Sequence, residues 1–227
     1  MAVITGASKG LGEALAARGG DLVLDARDPV PLAEAAGAVS AHGTRVAALP
    51  GDVTDAGHRA ELVAAAKWLG GVDLLVHNAS TLGAEALVRL EERPLDGLRG
   101  GALEVDLVAA LGLVQETLPL LRASRAGTVI AVSPDAGAEA SAAWGGYGAS
   151  KAALDQLAAV PAVEEPGLRV WAVDPGDMAT DLYAAAVPDD DGPRPEPARV
   201  VPAFLRMLDE RPASGRYAAP ALLRGGR

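Results

Sequence analysis

The strongest constraint on how this chain can fold is a repeated switch in hydrophobic period. Short β-type runs recur at Ala2–Ile4, Leu22–Asp25, Arg45–Leu49, Asp73–His77, Thr128–Val132, Arg169–Val173 and Arg216–Ala218. Helix-like segments lie between them, among them Leu32–Ala41, Arg59–Leu69, Leu98–Leu121 and Pro197–Leu208. Strands separated by helices make βαβ units, and right-handed crossovers then force a parallel sheet. Several of the strands are apolar on both faces, as they must be when helices cover both sides. The class is α/β. With 227 residues, half of them apolar, the chain holds one substantial core or at most two small ones.

The first strand runs into Thr5-Gly6-Ala7-Ser8-Lys9-Gly10-Leu11-Gly12. Glycines at 6, 10 and 12 follow a strand and open a helix. Such a turn lets the backbone approach a pyrophosphate, and the helix N-terminus offers free N–H groups to it. Gly6, Ser8, Lys9, Gly10, Leu11 and Gly12 are therefore candidate cofactor contacts. The second strand ends at Asp25-Ala26-Arg27. Arg27 and Lys9 suit a 2′-phosphate, which an arginine can meet bidentately, and this favours NADPH while leaving NADH open. Asp25 and Asp28 flank Arg27 and oppose that preference.

Composition removes other classes of function. The formal net charge is −10, which gives nucleic acid and anionic membranes no general attraction. Cysteine is absent, so neither disulfides nor thiolate metal sites exist. His42, His58 and His77 show no ligand spacing, and no metal is expected. No apolar run is long enough to span a bilayer. The opening MAVITGAS reads as a strand entering a turn rather than a signal peptide, so a cytoplasmic protein is the expectation.

Tyr147 precedes Lys151 by four residues, with only small residues between. On a helix the two share a face. A tyrosine near its free pKa of about 10 is a weak base at neutral pH, and a neighbouring ammonium favours its phenolate. Tyr147 is thus a candidate general acid/base and Lys151 its activator.

With the glycine turn, this pair makes the sequence resemble the short-chain dehydrogenases/reductases over nearly its whole length. TGASKGLG matches their TGxxxGxG. Asp52-Val53 matches a pair that contacts the adenine. His77-Asn78-Ala79-Ser80 stands where the family usually has Asn-Asn-Ala-Gly. Tyr147 and Lys151 match YxxxK. Pro175-Gly176, with Met178 and Thr180 beyond, matches the stretch beside the nicotinamide. The resemblance implies a single Rossmann-type domain, residues 1–227, with a doubly wound sheet of about seven strands. It also implies hydride transfer between nicotinamide C4 and a carbonyl or alcohol carbon. Cofactor contacts would come from the glycine turn, Arg27, Asp52, Val53, Asn78, Ala79, Ser80, Tyr147, Lys151, Pro175, Gly176, Met178 and Thr180. A homodimer or homotetramer is implied, built on the helices near Leu98–Leu121 and around Tyr147.

The sequence departs from that pattern in several places. The family's substrate-binding serine usually lies thirteen residues before the tyrosine; here that residue is Pro134, which has no donor. Ser133, one residue earlier, takes the role if the loop shifts, and Ser141 is too close. Asp106 replaces the asparagine of the central helix. Its charge, at about 7 Å and an effective dielectric of about 20, is worth about 2 kcal/mol: it would keep Lys151 protonated and oppose a phenolate. The first helix, Leu11 to about Arg18, is short, and Pro161 should kink or end the helix that carries Tyr147. Trp144 and Leu182 mark the expected substrate side, beneath a lid or loop region at 178–200, and they suit a lipophilic carbonyl. Within that region, 187–197 reads as a solvated loop, with a mobile lid or carboxylate cluster as the alternatives. A non-redox enzyme of the same scaffold, such as a cyclase or dehydratase, and a cofactor-sensing protein remain open beside the oxidoreductase.

Overall fold

The structure is a computed structural model that describes residues 1–17, 20–40, 43–83 and 87–225. Arg18, Ala41 and His42, named above, lie outside the described residues. Seven parallel strands form one sheet in the order β3-β2-β1-β4-β5-β6-β7. They are β1 Ala2–Ile4, β2 Leu22–Ala26, β3 Val46–Pro50, β4 Leu74–His77, β5 Thr128–Val132, β6 Arg169–Asp174 and β7 Gly215–Ala218. Each of the seven sequence runs becomes one of these strands, with ends shifted by a residue at most.

Strand periodicity divides the core in two. Ile4, Leu24, Val76, Ile130, Trp171 and Val173 face one side, where they meet the helices Gly10–Ala16, Pro29–Ser40 and Val201–Glu210. Val3, Val23, Leu75, Val129, Val170 and Ala172 face the other, against Ala56–Leu69, Ala109–Ala123 and Gly145–Glu164. Adjacent residues of one strand thus serve opposite layers. Burying each large side chain contributes about 1.5–3 kcal/mol, which holds all seven strand ends in fixed positions.

Two helices differ from the sequence expectation. The long central helix begins as a π-helix over Leu98–Val108 and becomes regular only at Ala109. Such wide turns are uncommon and often lie at functional sites. The Gly145–Glu164 helix runs past Pro161 without ending there. Pro161 sits in the last turn, so its missing N–H removes one bond, and the Pro161 carbonyl still accepts from Glu165 N at 2.9 Å. The 178–200 region contains a helix the sequence did not announce, Asp181–Ala186. Among the described residues, no helix is long and apolar enough to cross a membrane.

Candidate active site

A cleft of about 980 Å³ opens at the carboxyl edge of the sheet. It lies where the strand order reverses between β1 and β4, the position at which doubly wound sheets bind ligands. The glycine turn, the ends of β2, β4, β5 and β6, the tyrosine helix and the 178–186 segment line it.

At the adenosine end, buried side chains tie the loops together. Gly6 has φ +63°, and a Cβ there would fall 2.9 Å from Ala79 Cα. Only glycine lets the two loops approach so closely. Asn78 Nδ2 donates to the carbonyls of Thr5 and Gly6, each at 3.0 Å. Thr5 Oγ1 accepts from the backbone N–H groups of Asn78 and Ala79 at 3.1 and 3.0 Å. The turn is thus held open by side-chain bonds before any ligand arrives. Gly12 does not line the cleft. A Cβ on it would fall 2.3 Å from the Gly6 carbonyl, so it allows close packing of helix on turn rather than contact with a cofactor.

Asp25 turns inward and its carboxylate sits 2.6 Å from His58 Nε2, both buried. Burial pushes the Asp25 carboxyl above its ordinary range, with His58 opposing. Asp25 is thereby withdrawn from Arg27. Among the described residues no ion pair holds Arg27, which lines the cleft and helps to lower the pKa of Asp52, whose largest stabiliser is the Thr54 backbone N–H. Lys9 forms an exposed ion pair with Asp181, joining the glycine turn to the helix above the cleft.

At the other end, Tyr147 and Lys151 are both buried yet line the cleft. Lys151 Nζ lies 5.5 Å from the phenol ring centroid, donates to Asp106 Oδ1 at 3.1 Å, and donates to the Val132 carbonyl at 3.2 Å. Asp106 Oδ2 lies 2.7 Å from Ser150 Oγ. The π-helical segment therefore delivers a carboxylate directly onto the lysine. Burial would lower the Lys151 pKa, but Asp106 and Tyr147 outweigh it and raise it. The Tyr147 phenol is pushed above its ordinary value, first by burial and then by Asp106, against the pull of Lys151 and Ser80. His77, deep at the end of β4, is held down to about 3 by burial and by the Lys151 charge, with a weak opposing effect from the Val105 backbone.

Ser133 does not reach the cleft. It is fully buried, and its hydroxyl donates to the Lys151 carbonyl at 3.3 Å. The shift by one residue that would have brought it into the site does not occur, and Pro134 lines the cleft instead. Ser8, Gly10, Leu11, Val53, Ala79, Ser80, Pro175, Gly176, Met178, Trp144 and Leu182 all line it. Thr180 does too, but its hydroxyl caps the Asp181–Ala186 helix by accepting from Tyr183 N at 3.2 Å. Trp144 meets the Tyr147 ring at 5.8 Å. The 187–197 loop is tied to itself: Asp190 pairs with Arg194, whose guanidinium lies 4.0 Å from the Tyr183 ring centroid. Sequence reasoning missed His58, Thr5 and Ser150, whose roles arise only from long-range contacts.

The cleft thus has a glycine cradle at a sheet crossover and a buried tyrosine–lysine pair at its far end. The model of the short chain dehydrogenases matches residues 1–191, and the chain belongs to that family. It is similar to a glycine betaine reductase of Emericella nidulans, 36% identical over 80% of this chain but 15% of that protein. It is also similar to the uncharacterized oxidoreductase YciK of Escherichia coli, 33% identical over 61% of this chain and 55% of the relative. The chain thus spans little of the first relative and about half of the second. Among solved structures, a short chain dehydrogenase of Shigella flexneri complexed with NADP is 27% identical with a TM-score of 0.89, covering 96% of each chain. Another, from Escherichia coli and complexed with NADPH, is 28% identical with a TM-score of 0.89, covering 96% of this chain and 95% of that one.

Proposed function

We propose that this protein reduces a neutral, lipophilic ketone or aldehyde with NADPH, Tyr147 donating the proton. The observation that carries this reading is geometric: a buried phenol opens onto the cleft with the Lys151 ammonium 5.5 Å from its ring centroid. A phenol protonated at neutral pH can give its proton to the oxygen of a carbonyl that is being reduced. The cradle fits a dinucleotide: the turn around Gly6 is pre-opened, and the helix Gly10–Ala16 aims its N-terminus into the cleft. Gly6, Ser8, Gly10 and Leu11 would hold the pyrophosphate, with Asp52 and Val53 at the adenine. Ala79, Pro175, Gly176 and Met178 would lie along the nicotinamide half.

When bound, the nicotinamide supplies a hydride to the carbonyl carbon. The chain does the rest. The carbonyl π pair moves onto oxygen, Tyr147 Oη releases its proton to that oxygen, and solvent returns a proton to the phenolate. Lys151, fixed by Asp106 and the Val132 carbonyl, has one ammonium hydrogen left for the nicotinamide ribose. Arg27 and Lys9 would share the 2′-phosphate. The surface pair Lys9–Asp181 is worth at most about 1 kcal/mol, so a phosphate can displace Asp181 from it.

Apolar groups surround the acid. Leu82, Tyr147 and Ala186 form a small cluster with Leu87, Trp144 and Val187. Asp135 and Asp177 line the same end, and the charge of Asp135 helps to raise the Asp177 pKa, after burial. A carboxylate substrate would meet like charge there, whereas a neutral carbonyl compound would not. The 178–200 region would act as the cover of this pocket, with dimer or tetramer contacts on the central and tyrosine helices away from it. The test is a fluorescence titration with NADPH and NADH, followed by a ketone panel read as loss of NADPH absorbance. Tight NADPH binding with turnover supports the proposal. Binding without turnover of any carbonyl favours a non-redox enzyme or a cofactor sensor.

A further inference from the structure

A second hydrogen-bond donor on the substrate oxygen, besides Tyr147, would stabilise the charge that develops there, and the residues expected to give it do not. Pro134 has none, and Ser133 spends its hydroxyl on the Lys151 carbonyl, out of reach of the cleft. Ser80 stands across the same space. It follows β4 in the Asn78-Ala79-Ser80 loop and lines the cleft together with Tyr147, Trp144 and Leu82. Its Oγ is shielded from bulk water, yet among the described residues no protein group completes a hydrogen bond to it. An unpaired buried hydroxyl costs about 1–3 kcal/mol, which a carbonyl oxygen entering the cleft would recover. The Tyr147 phenol stands within hydrogen-bonding reach of this hydroxyl, and that contact lowers the Tyr147 pKa, but the bond between them is not fully formed.

We infer that Ser80 is a catalytic residue: its hydroxyl donates to the carbonyl oxygen of the substrate, from the β4 loop, in place of the serine lost at Pro134. The oxygen then receives two donors, Ser80 Oγ and Tyr147 Oη. Ser80 keeps its own proton throughout, so no atom or electron is transferred through it. It stabilises the negative charge that develops on oxygen while the Tyr147 proton is in flight. The backbone beside it is rigid, because Asn78 and Ala79 are bonded to Thr5. A fixed donor of this kind needs no reorganisation during reaction.

This inference rests on the reductase reading, and one experiment separates their failures. Trifluoroacetophenone is the probe ketone, with NADPH as reductant, and isobutyramide serves as an unreactive carbonyl that accepts the same hydrogen bond. Ser80→Ala should lower kcat/KM about a hundredfold, leave the NADPH Kd unchanged, and raise the isobutyramide inhibition constant about tenfold. Ser80→Gly should repeat the loss, and Ser80→Thr should recover most of it. Ser133→Ala should stay within about threefold of wild type. An unchanged Ser80→Ala enzyme, or a Ser133→Ala enzyme that loses as much, overturns the role of Ser80 and leaves the reductase standing. A wild-type protein that binds NADPH and reduces no ketone overturns both, since there is then no substrate oxygen to hold.

Discussion

The two ends of the cleft are built by opposite rules. At the adenosine end, Thr5, Asn78 and the Asp25–His58 pair meet one another's hydrogen-bonding needs. At the catalytic end, Ser80 Oγ, which lines the cleft, completes no hydrogen bond among the described residues. One end is a finished structure that a ligand joins. The other holds a hydroxyl in a place that is unfavourable until a substrate arrives. The difference separates residues that stabilise the fold from residues that are kept at some cost to it for chemistry.

Substitutions should fall out along that line. Tyr147→Phe removes the proton donor, and kcat should drop by about 10²–10⁴-fold while NADPH binding, read by fluorescence, is retained. If turnover survives, another group is the acid. Asp25→Ala strands His58 in the interior and should cost about 3 kcal/mol in urea unfolding, whereas Ser80→Ala, which removes an unpaired hydroxyl, should raise stability by about 1 kcal/mol. Equal losses from the two would erase the contrast between the ends. Arg27→Ala should weaken NADPH by about tenfold or more and leave NADH unchanged, because only the former carries the 2′-phosphate.

A further effect, on stability rather than on turnover, concerns pH. His77 is neutral in the folded state, its pKa lowered to about 3, but protonates in the unfolded chain near about 6.5. Below that upper value the unfolded state binds one more proton, so stability falls as pH falls. The contribution approaches about 1.4 kcal/mol per pH unit until the folded pKa is reached. His77→Asn should flatten the difference in slope by that amount between those limits; an unaltered slope would mean that His77 is charged or solvated.

Much of this was legible in the sequence. The strands were, because a two-sided apolar run such as Thr128–Val132 has few other uses in an α/β chain. So were the glycine turn and the Tyr147–Lys151 pair, whose geometry is local. What the sequence hid depends on long-range packing. Asp25 looked like a rival for Arg27 until His58, 33 residues away, drew it into the core. Ser133 looked like a substitute for Pro134, but a one-residue offset reverses the face a side chain takes at the end of a strand, and it landed behind the tyrosine helix. Asp106 was expected to perturb the lysine from a distance; the π-helical turn brings it into direct contact at 3.1 Å. A proline at 161 predicts a kink or an end to the helix, because the sequence does not show that it falls in the last turn.

The most direct test of the central claim is isotope transfer. NADPH deuterated at nicotinamide C4 is incubated with the protein and trifluoroacetophenone, and the product is analysed by mass spectrometry. The account predicts an alcohol carrying one deuterium at its carbinol carbon, formed by the wild-type protein and nearly absent with Tyr147→Phe. Tight NADPH binding with no deuterium delivered to this or any other carbonyl would contradict it.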